Sequence, residues 1–448
     1  MGTKTTRMGL YKPVDGENGW GDSVSANFDA IDDAMPMARG GNLITNSRLG
    51  VYSCYYWQAQ VGNPINVSAW SGSGTNFITC TTGNTQGLKV GKLVNVTSGD
   101  ASLQNCPHMV AELTENQSFS FYLQKNAGGA NPGAITCYEV TMGGTSGAIN
   151  GTGDAMDGFN KDATLAVYRE WMGDHANAPA GAGFYGGKLV KGSNNLECLY
   201  YSRFADAIAP TWPNRRDPNF VAQLRGLPVV FGVYIKAPSG APYVEINDGV
   251  TATDSAVVPA DNAWHLVQVA QVISPLAEKV EFKVCMNGVS GNICYIAIPV
   301  VKIGTYLGAN DMQPITGEIL IPDTRIIPRN WESANFGSSA PGNSYYMKIE
   351  GECGGQIPKG CRGMEFEVEG VGTVAQDHIA FYQSDGTAPS PYNIGPILSC
   401  QVANQINFAY GTVMFSKMPN FYNEDSIYVA TAGSGTWTVS MNVGRLFF

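Results

Sequence analysis

Residues 279–288, KVEFKVCMNG, set Val280, Phe282, Val284 and Met286 on one face and Glu281, Lys283, Cys285 and Asn287 on the other. Strict alternation with period two fits a half-buried β-strand, because successive side chains of a strand point to opposite faces. The pattern recurs along the chain. VVFGVYIKA places Val229, Phe231, Val233 and Ile235 together, and WHLVQVAQVI sets His265, Val267, Val269 and Gln271 against Trp264, Leu266, Gln268 and Ala270. Met364, Phe366 and Val368 alternate with Glu365, Glu367 and Glu369, and Trp437, Val439, Met441 and Val443 with Thr436, Thr438, Ser440 and Asn442. NICYIAIPVVKIG is almost continuously apolar, as expected of a strand buried on both faces. The 54 glycines and 24 prolines supply frequent turns between these runs. Regular strands separated by turn signals predict sandwiches, so the fold class is mainly β.

A chain of 448 residues has room for roughly two to four domains. Residues 1–40 read as a loop and one short helix. Residues 41–63 and 145–305 read as a β-sandwich, and 64–144 as a small β-barrel-like module inserted into it. Residues 306–343 read as a linker and 344–448 as a C-terminal β-sandwich. In the helix, Asp22 or Ser23 is the N-cap and Val24, Phe28 and Ile31 form one apolar stripe. A lone helix of about three turns is marginal in water. Its stripe must therefore bury against its own domain or another chain.

The net charge is −10, from 27 basic and 37 acidic residues, with no basic run. Nucleic-acid binding is not expected, since it needs clustered Lys and Arg. The longest apolar run, residues 295–301, is too short for membrane insertion. No secretory signal pattern is read, so the ten cysteines are expected as thiols in a reducing compartment. Cys353 and Cys361, bracketing GGQIPKG, are the pair to check for a disulfide. No CxxC occurs and the four histidines are far apart. No metal site and no cofactor are therefore expected. The Glu365, Glu367, Glu369 stripe reads as a solvated face. Asp174-His175 and Asp377-His378 are neighbours in sequence, which does not make a dyad. No GxSxG, HExxH or P-loop is present, and no enzyme activity is expected.

GLYKPVDGENGWGDSVSANFDAID, residues 9–32, resembles the N-terminal element of bacteriophage tail fibres and related virion appendages. Trp20-Gly21 and Asn27-Phe28-Asp29 match, and Ser25 stands where the first Asn of that pattern is usual. GGNLITNSRLGVYSCYYWQ resembles the strand that opens a jelly roll in phage tail proteins. GVYIKAPSGAPYVEINDG with the two strands after it is similar to jelly-roll carbohydrate-binding modules, and residues 64–144 resemble small β modules of phage structural proteins.

These resemblances imply a jelly roll for the first sandwich and a virion location. They also imply a homotrimer whose Trp20, Val24, Asn27, Phe28 and Ile31 pack together and dock another virion protein. The implied outer partner is a host cell-surface polysaccharide or protein. Exposed aromatics would stack on sugars, and Tyr55, Trp57, Trp171, Trp212, Tyr234, Tyr243 and Trp264 are candidates. Chain order places 344–448 farthest from the particle, where Tyr382, Asp385, Tyr392 and Asn393 of a polar loop join Trp212 and Tyr243 as the chosen glycan-binding candidates. Two alternatives stand beside this reading. One is a capsid or neck decoration fibre without a specific receptor. The other is a glycan-degrading tailspike, which would use paired carboxylates, often on a repetitive β-helix; no solenoid period is visible.

Overall fold

The structure is a computed structural model that describes residues 3–4, 11–12, 42–52, 58–72, 77–97, 107–122, 135–145, 155–205, 219–315, 317–322, 325–328, 334–336, 344–349, 353, 355–383, 394–417 and 425–448. The expected N-terminal helix with Trp20, Val24, Asn27, Phe28 and Ile31 lies outside the described residues, as do Tyr55, Trp57, Trp212, Asp385, Tyr392 and Asn393. At the front, β1 (Thr3–Lys4) pairs antiparallel with β2 (Tyr11–Lys12). The described chain is mainly β, arranged in antiparallel sheets.

The small module holds β3 (Gln58–Val67), β4 (Ala69–Ser71), β5 (Phe77–Thr81), β6 (Leu93–Val96), β7 (His108–Met109), β8 (Glu112–Thr114), β9 (Ser118–Tyr122) and β10 (Ile135–Gly144). One layer runs β4-β5-β9-β8, and the other is built from β3, β10, β6 and β7. Ile65, Trp70, Ile78, Val94, Phe119, Phe121 and Ile135 fill the space between them. Cys80 and Cys137 belong to this core, and burial pushes the Cys137 thiol up to about 12. They act as small apolar side chains.

The sandwich holds β11 (Phe159–Lys161), β12 (Ala166–Trp171), β13 (Tyr185–Val190), β14 (Leu196–Ala205), a short helix α1 (Asn219–Leu224), β15 (Pro228–Lys236), β16 (Tyr243–Asn247), β17 (Ala252–Asp254), β18 (Trp264–Val272), β19 (Lys279–Asn287) and β20 (Ile293–Ile303). Its back sheet runs β11-β14-β19-β16-β17. Its front sheet runs β18-β15-β20-β13-β12 and continues through β10 into the module. The continuation rests on Gly143 and Gly144 pairing with Tyr168 and Val167. Gly143 has φ +107°, and a Cβ there would lie 2.1 Å from the Val167 carbonyl oxygen, so only glycine fits.

Between the sheets, Val229, Phe231, Val233 and Ile235 meet Val280, Phe282, Val284 and Met286. The Phe231 and Phe282 rings are 5.7 Å apart. Each such side chain contributes about 1.5–3 kcal/mol on full burial. β20 is buried on both faces, with Ile296 and Val301 in this core and Ala297, Ile298 and Val300 in an outer cluster with Met172, Leu307 and Met312. Asn42 ties the entering segment to β20, donating to the Pro299 carbonyl (2.7 Å) and accepting from the Val301 N–H (3.0 Å).

The C-terminal sandwich holds β21 (Ile319–Leu320), β22 (Ala334–Phe336), β23 (Ser344–Lys348), β24 (Gly363–Gly372), β25 (His378–Tyr382), β26 (Ile394–Ser399), β27 (Ile406–Met414), β28 (Ser416–Lys417), β29 (Asp425–Ala432) and β30 (Trp437–Phe447). One sheet runs β21-β30-β24-β27 with β22 also on β30; the other runs β23-β29-β25-β26 with β28 on β29. Phe366, Trp437 and Met441 pack against Phe381, Leu398 and Val429. The segment read as a linker contributes β21, β22 and the core residues Leu320 and Ile326 to this sandwich. The apolar terminus is part of the same core, with Leu446 and Phe448 both buried. Cys353 and Cys361 lie in it too, and the Cys361 thiol donates to the Gly363 carbonyl at 3.1 Å.

Candidate functional site

The outward face of the front sheet carries one continuous row. Tyr168 on β12 is opposite Lys188 on β13, Lys188 is opposite Tyr295 on β20, Tyr295 is opposite Lys236 on β15, and Lys236 is opposite Trp264 on β18. All five are half-buried, while their neighbours Val167, Leu189, Cys294 and Ile235 enter the core. Aromatic and lysine therefore alternate across five strands, a span of roughly 19 Å at the usual strand spacing.

His175 follows a 3-10 turn (Met172–Asp174) and covers one half of this row. Its ring lies 4.4 Å from that of Tyr295 and 5.8 Å from that of Trp264. Nε2 is 3.0 Å from Glu170 Oε1, and Nδ1 is 3.4 Å from Lys236 Nζ. With the ammonium donating to Nδ1, the ring proton sits on Nε2 and donates to Glu170. Burial pushes the Tyr295 hydroxyl up, keeping it a neutral donor. Asp174 turns away from His175 to Lys92 (2.6 Å) and Lys89 (2.7 Å), so these sequence neighbours serve separate networks.

The Tyr168 half opens into a cleft of about 590 Å³ between the sandwich and the module. Tyr168, Lys188 and Glu170 line it from the sheet, Trp171 and Asp174 from the turn, and Lys92 and Glu139 from β6 and β10 and their flanks. Trp171 is held by stacking on Phe184 (5.7 Å) and an edge contact with Tyr185 (5.5 Å). Lys92 bridges Glu139 (2.9 Å) and Asp174 (2.6 Å). Burial pushes the Glu139 carboxyl up against the pull of Lys92. Burial acts the same way on Asp174, but its hydrogen bonds to Lys89 and Lys92 outweigh it and hold the carboxyl below its usual range. The cleft thus offers an aromatic ring, cationic donors and carboxylate acceptors in one concave, charge-balanced space. Its volume lies in the range of small-ligand sites.

Of the aromatics singled out by type, Trp171 borders the cleft, Trp264 ends the row, and Tyr234 packs in the outer cluster nearby. Tyr243 is on the back sheet opposite Cys285, away from the cleft. Tyr382 is half-buried at the end of β25, just before residues outside the description. Tyr168, Lys188, Glu170, Lys92 and Glu139 were not singled out in sequence. Their alternation was readable, but their meeting depends on three long-range registers, β12 with β13, β10 with β12 and β6 with β10.

A second surface lies on β27, at one end of its sheet order. Phe408 is 62% and Tyr410 64% exposed, and Ile406 and Met414 are exposed beside them. Phe408 is in register with Glu369 and Tyr410 with Glu367. The acidic stripe is partly neutralised, with Arg445 on Glu365 and Arg325 on Glu367, each at 3.0 Å, and the Tyr410 hydroxyl on Glu365.

No protein-family model and no curated protein matches the chain. Among solved structures it is similar to the enzymatically active domain of tailspike protein 4 of bacteriophage CBA120. That match has 11% identity and a TM-score of 0.23, covering 33% of this chain and 19% of that one. It is also similar to the CBM22-1 xylan-binding domain of Paenibacillus barcinonensis Xyn10C (8% identity, TM-score 0.24, 37% of this chain and 94% of that one). A third is TmCBM61 in complex with β-1,4-galactotriose (12% identity, TM-score 0.22, 33% and 88%). The chain thus spans about a fifth of the tailspike domain's length and most of the two binding modules'.

Proposed function

We propose that the chain is a glycan-binding virion appendage, a tail fibre that joins the particle through its N-terminus and adheres to a host-surface polysaccharide. The observation that carries the binding role is the row from Tyr168 to Trp264 opening into the polar cleft. Polyhydroxylated rings present a flat C–H face and a rim of hydroxyls. Tyr168 supplies a partner for the face, while Lys188, Glu170, Glu139 and Lys92 supply donors and acceptors for the rim. The likeness of residues 9–32 to phage docking segments supports the virion role. The homotrimer is supported by the exposed apolar stripe on β27, since long apolar edge strands left open promote association.

The chain acts without cleaving its ligand in this reading. Glu139 and Asp174 both pair with Lys92, which supports a structural use of these carboxylates. A decoration fibre would share the fold but not the affinity. The test is a panel of bacterial surface polysaccharides presented to the full-length chain, scored for retention and for release of reducing ends. Retention without release is expected. Release points to the tailspike alternative, and neither points to the decoration fibre.

A further inference from the structure

Cys198 on β14 and Cys285 on β19 are register partners on the back sheet, with their sulfur atoms 2.7 Å apart. Their neighbours Leu199 and Val284 point into the sandwich core, so the two thiols share the opposite face, next to Tyr243. Cys198 is 6% exposed and Cys285 fully buried. Directly opposed residues of an antiparallel pair have the Cα separation that a disulfide spans. Other cysteines are engaged differently: Cys294 contacts the Met286 sulfur, and Cys361 and Cys400 donate to backbone carbonyls.

We propose that Cys198 and Cys285 are a latent cross-strand disulfide that closes when the chain leaves a reducing compartment and meets a small peroxide oxidant. A peroxide suits the site because it is small enough to reach a sulfur that is nearly covered. Cys198, the more accessible, attacks hydrogen peroxide; its sulfur gains one oxygen as a sulfenic acid, and water leaves. The Cys285 sulfur then attacks Cys198 Sγ, the S–O bond breaks, and a second water carries away the oxygen and the last proton. Two thiols are oxidised by two electrons in total, and one peroxide is reduced to two waters. The Cys198 hydrogen bond, together with burial, pushes the Cys285 thiol far up, so thiolate is scarce and closure is slow. The bond would tie positions 87 residues apart in sequence, which restricts the unfolded chain. This inference is independent of the glycan reading.

The test is intact-mass and non-reducing peptide mapping of the full-length chain, purified under reductant and then exposed to hydrogen peroxide in its folded state. The expected result is a linked pair of peptides containing Cys198 and Cys285, short of two hydrogens. The thermal midpoint should rise by roughly 5 °C, and dithiothreitol should reverse both changes. Cys198→Ser should abolish the linked peptide and the rise. Recovery of both cysteines as alkylated thiols, after an exposure that oxidises surface methionines, would overturn the proposal.

Discussion

Lys92 of the small module and Asp174 of the sandwich face each other at 2.6 Å across the cleft, and the same ammonium reaches Glu139 at 2.9 Å. Besides the shared strand β10, the module is therefore tied to the sandwich by this cation and by Lys89, which also reaches Asp174, at 2.7 Å. Lys92→Met leaves Glu139 without its ammonium partner and Asp174 with Lys89 alone. Urea unfolding is expected to show a loss of about 1.5–3 kcal/mol, the size of a hydrogen bond to a charged group. An unchanged midpoint would show that the link is slack in solution.

The same network sets a pH dependence. Asp174 is held below its usual range in the folded state. Its stabilisation is therefore complete above the ordinary aspartate value and lost as pH falls through the lower folded value. Glu139 is shifted the other way by burial, so it takes up its proton above the usual glutamate range, before Asp174 does. Comparing unfolding of the natural chain with Asp174→Asn should therefore give a stability difference that is constant near neutrality and closes below the ordinary aspartate range. A difference that closes well above that range would contradict the assignment.

Gly143 tests the shared sheet. Its backbone conformation and the 2.1 Å approach to the Val167 carbonyl leave no room for a side chain. Gly143→Ala is expected to cost about 1–3 kcal/mol from backbone strain alone, with more from the clash. Calorimetry should show the module and the sandwich beginning to unfold separately. A single unshifted transition would mean that β10 need not hold this register.

The β27 stripe tests self-association. Phe408→Ser with Tyr410→Ser removes two exposed rings that make no core contact. Light scattering is expected to show the assembly of the natural chain replaced by a monomer, with secondary structure unchanged. Retention of the same mass would move the trimer contact elsewhere.

The strands were legible because period-two patterning is local: Val280, Phe282, Val284 and Met286 all reach the core as the alternation implied. The buried terminus and the double-sided burial of β20 follow the same logic. The row of Tyr168, Lys188, Tyr295, Lys236 and Trp264 was not legible, because each neighbour comes from a separate stretch of chain and only the sheet order joins them. The continuation of the front sheet through Gly143 was hidden for the same reason. Residues 306–343 are rich in turn formers and read as a linker, yet two short runs within them pair with β30. Phe408 and Tyr410 were readable in INFAYGTVM, but alternation does not say which face lacks a covering layer.

The central claim is that the cleft holds the sugar. Its most direct test is calorimetric titration of the bound polysaccharide, or an oligosaccharide from it, into the full-length chain and three variants: Tyr168→Ala, Lys188→Ala and Tyr382→Ala. The account predicts at least a tenfold weaker Kd, about 1.4 kcal/mol, for each of the first two and no change for the third, with all three folded by circular dichroism. Unchanged binding by Tyr168→Ala and Lys188→Ala, with loss in Tyr382→Ala, would contradict it and place adhesion at the C-terminal sandwich.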